Sequence, residues 1–191
     1  MRTYRDRAYV VSEGGGGVQI IDLRNLPASA SLIRSFNFVQ SGKNTLRSHT
    51  IEIFGDYMYL NGCGNWSPGG VLIFSLANPD TPAYVGQYQP EYSHDSYVKG
   101  NRLYSAAVNS GGGVDIADIT NKTSPSTVTK ITYSGSGTHN AWATADGNYL
   151  ITTDEVGSTP KTLKFWDISS IPPAPSSPVA TYTVSRIAFR L

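Results

Sequence analysis

The chain has 191 residues, enough for one domain with its own hydrophobic core. Its formal net charge of +1, from 15 Lys and Arg against 14 Asp and Glu, argues against binding to nucleic acid or to an anionic membrane. The single cysteine, Cys63, excludes an intrachain disulfide, and no apolar run approaches the roughly 18 residues of a membrane span.

The composition predicts strands rather than helices. The chain contains 19 Gly, 11 Pro and 12 Tyr, and only 15% of its residues are charged. Leu, Glu, Lys and Ala never gather into an amphipathic stretch with a helical period, whereas short β-branched and aromatic runs alternate with Gly, Pro, Asn and Asp. We therefore expect an all-β chain.

A hydrophobic phrase recurs four times and divides the chain into repeats. The phrase occupies residues 18–23, 71–76, 114–119 and 163–168. Its fifth position holds Asp22, Ser75, Asp118 and Asp167, which stand 53, 43 and 49 residues apart. This period is typical of one propeller blade, roughly 40 to 50 residues. An Asp side chain at a strand end accepts hydrogen bonds from the amides of the coming turn, so a turn is expected after each phrase.

Further strands are predicted on both sides of each phrase. Glycine-containing loops suited to hairpins precede the phrases at 14–17, 69–70, 111–113 and 157–160. Upstream strands are predicted at 8–11, 57–60, 103–106 and 149–152, and downstream strands include 83–86 and 179–182. One such sheet cannot bury both faces alone, so the units are expected to stack radially into a β-propeller. An elongated β-solenoid would require much shorter repeats.

These repeats predict one propeller domain over 1–191, with blades at about 1–47, 48–92, 93–137 and 138–191. The end blades must also be covered, because an open propeller exposes strand edges and apolar faces. One solution is a closed four-bladed ring, in which a strand at Val184–Leu191 pairs with the first blade around Thr3–Arg7. The other is a half-ring that a second copy of the chain completes.

All three histidines occupy the same place in the repeat. His49, His94 and His139 stand 45 residues apart, each follows Ser or Thr, and each precedes a predicted strand that would line the central channel. Their side chains are therefore expected to converge on one axis. Two roles stay open: hydrogen bonding between blades, and binding of a divalent metal ion or another ligand. Carboxylates on neighbouring loops that could add oxygen ligands are Glu13, Asp95, Asp154 and Glu155.

No catalytic motif accompanies these histidines. The glycine run at 14–17 is not followed by a helix, so it is not a dinucleotide fingerprint, and neither a nucleophile elbow nor a His-Glu-x-x-His motif occurs. The aromatic residues Trp66, Tyr92 and Trp142 are candidates for a face that binds a glycan or a peptide. The alternative is that most of them pack between blades.

Several phrases resemble a known family. The segments 18–23 and 114–119 resemble the LVIVD repeat of bacterial and archaeal surface proteins, and the longer pattern is similar to that of choice-of-anchor B propellers. That pattern includes Ala8–Gly14, Ser93–Asp95, Asn121–Pro125, Thr138–Trp142, Asp146–Leu150 and Asp154–Glu155. The resemblance extends from about Tyr4 to Tyr182. Family members tend to be longer, which implies that this chain is a fragment or a short member. They also often pair a cysteine near Cys63 with one near Gln87, which is absent here.

The resemblance implies a secreted or cell-surface propeller with no established chemistry. We therefore expect a non-enzymatic scaffold, monomeric or homodimeric, that binds a protein or a glycan on its loop face and carries no cofactor. The alternative is a metal-centred propeller in which His49, His94 and His139 hold an ion on the axis. An oxidative activity of such a centre would rest on analogy between folds alone.

Overall fold

The structure is a computed structural model that describes residues 1–109, 111–156 and 160–183. Within these ranges the chain folds into strands and contains no helix. The first sheet consists of β1 (Arg2–Tyr4), β2 (Arg7–Val10), β3 (Val18–Asp22) and β4 (Ser31–Phe36). A small hairpin follows, with β5 (Val39–Gln40) and β6 (Lys43–Asn44).

Three further sheets repeat the arrangement of the first. The second contains β7 (Thr50–Phe54), β8 (Tyr57–Asn61), β9 (Val71–Ser75) and β10 (Ala83–Tyr88). The third contains β11 (Asp95–Lys99), β12 (Arg102–Ala107), β13 (Gly113–Asp118) and β14 (Ser126–Ile131). The fourth contains β15 (Thr138–Ala143), β16 (Tyr149–Asp154), β17 (Thr162–Asp167) and β18 (Ala180–Thr183). Each is an antiparallel meander whose strands pair in chain order, and we call the four sheets blades one to four.

The blades stack side by side into a propeller-like array. Contacts between their first strands join β1 to β7, β7 to β11 and β11 to β15. The prediction of an all-β, propeller-like repeat fold is therefore confirmed. In the described part of the chain, β15 and β1 share no contact of comparable extent, so these residues do not form a closed ring. The closing strand predicted at 184–191 lies outside the described residues.

The hydrophobic core is divided among the spaces between blades. Successive side chains of a strand point to opposite faces of its sheet, so each interior blade packs on both neighbours. In β8, Met58 packs toward blade one with Tyr9 and Phe74, whereas Tyr59 packs toward blade three with Leu103. A third cluster, between blades three and four, is built around Tyr104, Ile116, Leu150 and Trp166. The central strands of blades two and three are buried on both faces, which explains their nearly continuous apolar sequence.

The turn predicted after each hydrophobic phrase is present in all four blades. The amide two residues further on donates a hydrogen bond to the side chain at the fifth position of the phrase, with N···O distances of 2.8–3.2 Å. The acceptors are Asp22, Ser75, Asp118 and Asp167. Two predicted hairpin glycines, Gly17 (φ +70°) and Gly69 (φ +88°), adopt the left-handed conformation that such loops require.

No helix in the described ranges is long and apolar enough to span a bilayer.

Candidate metal centre

The start of each inner strand fixes the position of one histidine. The backbone amide of His49 donates to the carbonyl of Asn61 (2.9 Å), and that of His94 donates to the carbonyl of Ala106 (2.8 Å). His139 is the second residue of β15, at a register shift in its pairing with β16. Blades two, three and four therefore each present one imidazole from equivalent backbone positions.

The three imidazoles converge, as the repeat predicts. The ring centroids of His49 and His94 are 3.8 Å apart, and those of His94 and His139 are 4.5 Å apart. His94, in the middle of the row, is the most buried of the three, with 8% of its side chain exposed. This row of rings lies where the inner strands of three blades begin.

Two of the four predicted carboxylates join the row. The Glu155 Oε2 atom lies 3.3 Å from His94 Nε2 and 3.9 Å from His139 Nε2. At the other end, Glu13 Oε1 lies 2.7 Å from His49 Nδ1. Both carboxylates come from loops, Glu13 after β2 and Glu155 directly after β16.

The other two predicted carboxylates have different partners. Asp154 binds Lys164 Nζ (2.5 Å) and Tyr133, on the far side of its strand from Glu155. Asp95 accepts the Ser96 amide (2.9 Å). It also accepts a bond from the Asn140 side chain across the blade boundary (3.3 Å). Neither belongs to the group of potential ligand atoms that the structure brings together.

Hydrogen bonding orients the His94 ring. Its Nδ1 lies 3.4 Å from the backbone oxygen of His139, and because a carbonyl only accepts, Nδ1 must be the donor. In the neutral ring, the lone pair then resides on Nε2, the atom that faces Glu155. Burial, followed by the neighbouring charges of His49 and His139, lowers the pKa of His94, which favours this neutral form.

Two polar residues at the site were not among the predicted site residues. Thr50 Oγ1 donates to the carbonyl of His94 (2.8 Å), and Asn140 holds Asp95 as described above. Each directly follows a histidine, so the recurrence of a polar residue at this place in the repeat was a signal available in the sequence. Together these bonds link blade two to three and blade three to four.

A concave cavity of about 720 Å³ adjoins the histidine row. Its lining includes His49, Thr50, Asp95 and Asn140 at the histidine end, together with Trp142. The Trp142 ring packs on Tyr97, at a centroid distance of 4.1 Å, and 57% of Trp142 is exposed. The cavity therefore combines polar groups near the histidines with an exposed aromatic surface.

The predicted aromatic binding face is only partly present. Trp66, one of the candidates for this face, is 2% exposed, because the β5–β6 region folds over it and Phe38 stacks on its ring at 5.7 Å. Its indole N–H donates to the side-chain oxygen of Gln87 (2.8 Å). Tyr92 is half-buried beside His94, with ring centroids 6.4 Å apart. Of the three residues, Trp142 alone is largely exposed.

The donor set suits a transition-metal ion. One ligand atom each from His94, His139 and Glu155 lies within 4.8 Å of the other two. Two imidazoles and one carboxylate are the ligands of catalytic zinc sites and of non-haem iron sites, both of which leave positions open. His49 lies beside this group, and its bond to Glu13 is the kind of outer contact that orients metal-binding histidines.

Comparisons with known proteins support the fold and show no family. No family model and no curated protein matches the chain. Among solved structures, a computationally designed protein, Ika8, aligns with 95% of this chain and 47% of its own (TM-score 0.63, 11% identity). A eukaryotic initiation factor aligns with 94% of this chain and 43% of its own (TM-score 0.52, 14% identity). TolB from Acinetobacter baumannii aligns with 86% of this chain and 39% of its own (TM-score 0.49, 17% identity).

The chain thus spans less than half the length of the solved chains it resembles. At these identities the likeness extends to the fold alone, and the similarity to the designed protein agrees with the propeller-like stacking of the four sheets.

Proposed function

We propose that this chain binds a divalent transition-metal ion through His94, His139 and Glu155, at the inner edge of blades three and four. The observation that carries the proposal is the convergence of three ligand atoms within 4.8 Å of one another. His49 lies next to the site, 3.8 Å from His94 between ring centroids. The bound ion would supply Lewis-acid or redox chemistry beside the 720 Å³ cavity.

The hydrogen bonds around the site support the same function. His94 donates Nδ1–H to a backbone carbonyl, and His49 is paired through Nδ1 with Glu13. Such outer contacts fix the tautomer and ring orientation of metal-binding histidines. The predicted role of the histidines in joining blades is compatible with this function, because the bond from His94 to His139 crosses a blade boundary while leaving Nε2 for the ion.

Metal titration of the purified chain tests the proposal. Zn²⁺ and Co²⁺ are titrated calorimetrically into metal-stripped protein, and the Co²⁺ absorption spectrum reports the ligand set. We expect one ion per chain, and we expect Glu155→Gln and His139→Ala each to weaken binding by more than about tenfold, because each removes a ligand.

Asp95→Asn is the matched control. It removes the same charge one residue from His94, but its carboxylate already bonds Ser96 and Asn140. This variant is expected to bind the ion as tightly as the parent. A parent that binds neither metal at micromolar concentrations would overturn the proposal, and so would an affinity that Asp95→Asn lowers and Glu155→Gln leaves unchanged.

The remaining sequence-based expectations stay predictions. They are kinship with LVIVD-repeat or choice-of-anchor B propellers, location outside the cell or at its surface, and a scaffold that binds a protein or glycan without an ion. If the titration showed no metal binding, the scaffold without an ion would become the favoured function. Of the two arrangements of the ring, the open half-ring is favoured by the lack of extensive contact between β1 and β15 among the described strands.

A further inference from the structure

Among residues 1–109, 111–156 and 160–183, the two end blades expose faces that are covered in both interior blades. In blade four, Trp142, Ile151 and Phe165 lie opposite one another across three strands, on the face turned away from blade three. Trp142 is 57% exposed, and the other two are half-buried. The equivalent row in blade two includes Tyr59 and Ile73, which are fully buried against blade three.

Blade one has the complementary uncovered face. Its row of Ala8, Ile21 and Leu32 points away from blade two. Ala8 is buried, Ile21 is half-buried and Leu32 is 57% exposed, so the row is uncovered toward its outer end. The equivalent row in blade three includes Leu103 and Ala117, which are fully buried against blade two. Each of these two rows therefore has an equivalent in an interior blade, and that equivalent is packed against the neighbouring blade.

The register of the inner strands identifies which residues would meet. Arg2, Glu52, Tyr97 and Trp142 hold the same register position in their blades, as their pairing with the second strands shows. Two of the three neighbouring pairs in this series are in contact: Arg2 Nε lies 2.7 Å from Glu52 Oε2, and the Tyr97 ring packs on Trp142. If another blade one followed blade four, its Arg2 would take the next place in the series and would contact Trp142. A guanidinium over an indole face is a favourable cation–π pair.

We infer that a second copy of this chain covers both faces, with blade four of each copy packed on blade one of the other. A head-to-tail contact of this kind closes into a ring when the rotation per subunit allows it. This chain aligns with 47% of one solved structure and 43% of another, so two copies together match the length of either. The interface contains none of the three proposed metal ligands, so it stands independently of the metal site.

Sedimentation velocity of charge variants tests the interface. The parent should sediment with twice the mass of one chain. Trp142→Lys should shift the dimer toward monomer by at least about tenfold in dissociation constant, since it removes a central aromatic anchor and faces Arg2 with a like charge. Phe54→Lys is the matched control, because Phe54 is an exposed aromatic (41%) on the inner strand of blade two.

Cross-linking distinguishes a ring of two chains from a ring closed within one chain. The double variant Arg2→Cys, Trp142→Cys is treated with a short bismaleimide. The one native thiol, Cys63, is buried and burial raises its pKa to about 11, so it should react slowly. A covalent product of doubled mass is expected. A cross-link within single chains, or a monomeric parent whose sedimentation no variant changes, would overturn the inference.

Discussion

Asp115 is a buried carboxylate whose charge the fold does not fully compensate. It lies in β13, opposite Lys130 of the neighbouring strand, and is 3% exposed. Lys130 binds Glu91, and Asp115 Oδ2 has no hydrogen-bond partner among the described residues. Burial, followed by the adjacent Glu91, raises the pKa of Asp115 to about 7. The folded protein therefore keeps a proton here that the unfolded chain releases near pH 4.

Because of Asp115, we expect the free energy of unfolding to fall as the pH rises. Between about pH 4 and 7 the folded state binds more protons at Asp115 than the unfolded state does, so the free energy of unfolding falls as pH rises. Asp115→Asn removes this titration, so the variant should gain about 2–3 kcal/mol of stability over the parent on going from pH 5 to pH 8. Urea denaturation of parent and variant at both pH values measures the difference.

Asp118 serves as a control, because its titration should change the free energy of unfolding with pH in the opposite direction. Hydrogen bonds from Thr120 lower the pKa of this exposed carboxylate, so its contribution to stability is present above about pH 4 and is lost as pH falls. Asp118→Asn should therefore destabilise the protein at neutral pH, and this loss should become smaller as the pH falls below 4. An Asp115→Asn variant whose advantage is the same at pH 5 and pH 8 would contradict the prediction.

At the candidate metal centre, the grouping of the histidines was predictable and some of their surroundings were not. Three histidines at one place in a repeat must converge if the repeat is radial, which is why their grouping could be predicted. The choice between Asp154 and Glu155 could not, because it depends on which face of the sheet each side chain takes at the end of β16. The burial of Trp66 depends on its packing against Phe38, a contact that no local pattern specifies.

At the scale of the strand, Gly86 lies where the backbones of blades two and three approach each other closely. It lies at an irregularity in the pairing of β10 with β9. A Cβ atom there would meet the carbonyl oxygen of Lys122 at 2.2 Å and the Cα of Thr123 at 2.9 Å, both in blade three. Gly86→Ala should lower the free energy of unfolding by about 2 kcal/mol, because neither backbone can yield without shifting its blade. Chemical denaturation measures this loss.

The matched substitution is Gly64→Ala. Gly64 also has no left-handed φ, and its nearest neighbour would be the Arg47 side chain at 3.4 Å, an ordinary contact. This change is expected to stay within about 0.5 kcal/mol. Equal effects of the two substitutions would show that the loss of glycine itself, and not the contact between blades, is responsible. The sequence predicted the strand at 83–86, but the need for glycine comes from a turn 36 residues later.

At the scale of the molecule, the repeat predicts the blades but not the closure of the ring. The period and the turn chemistry are local, and both appear in the structure as four four-stranded meanders. Closure depends on the small rotation between successive blades, which the packing of side chains such as Met58 and Tyr59 sets jointly. No single segment encodes that angle, so the sequence left a closed ring and a half-ring open.

The proposed metal site would add a further link between two blades that already meet through side-chain packing and hydrogen bonds. His94 enters from blade three, whereas His139 and Glu155 enter from blade four. In a stack of repeats, stability is the sum of the blades and of the contacts between neighbours. An ion that binds only when both blades are folded therefore strengthens one contact in the series and stabilises the fourth blade through the third.

Metal binding should consequently raise the melting temperature of the chain. At a free Zn²⁺ concentration of 100 times the dissociation constant the expected gain is about 2.7 kcal/mol. For a chain of this size that gain corresponds to a rise of about 5–10 °C by differential scanning calorimetry. His94→Ala should abolish the rise and Asp95→Asn should preserve it, while EDTA should reverse it in the parent. A rise of equal size in His94→Ala would place the ion elsewhere, because that variant lacks the ligand contributed by blade three.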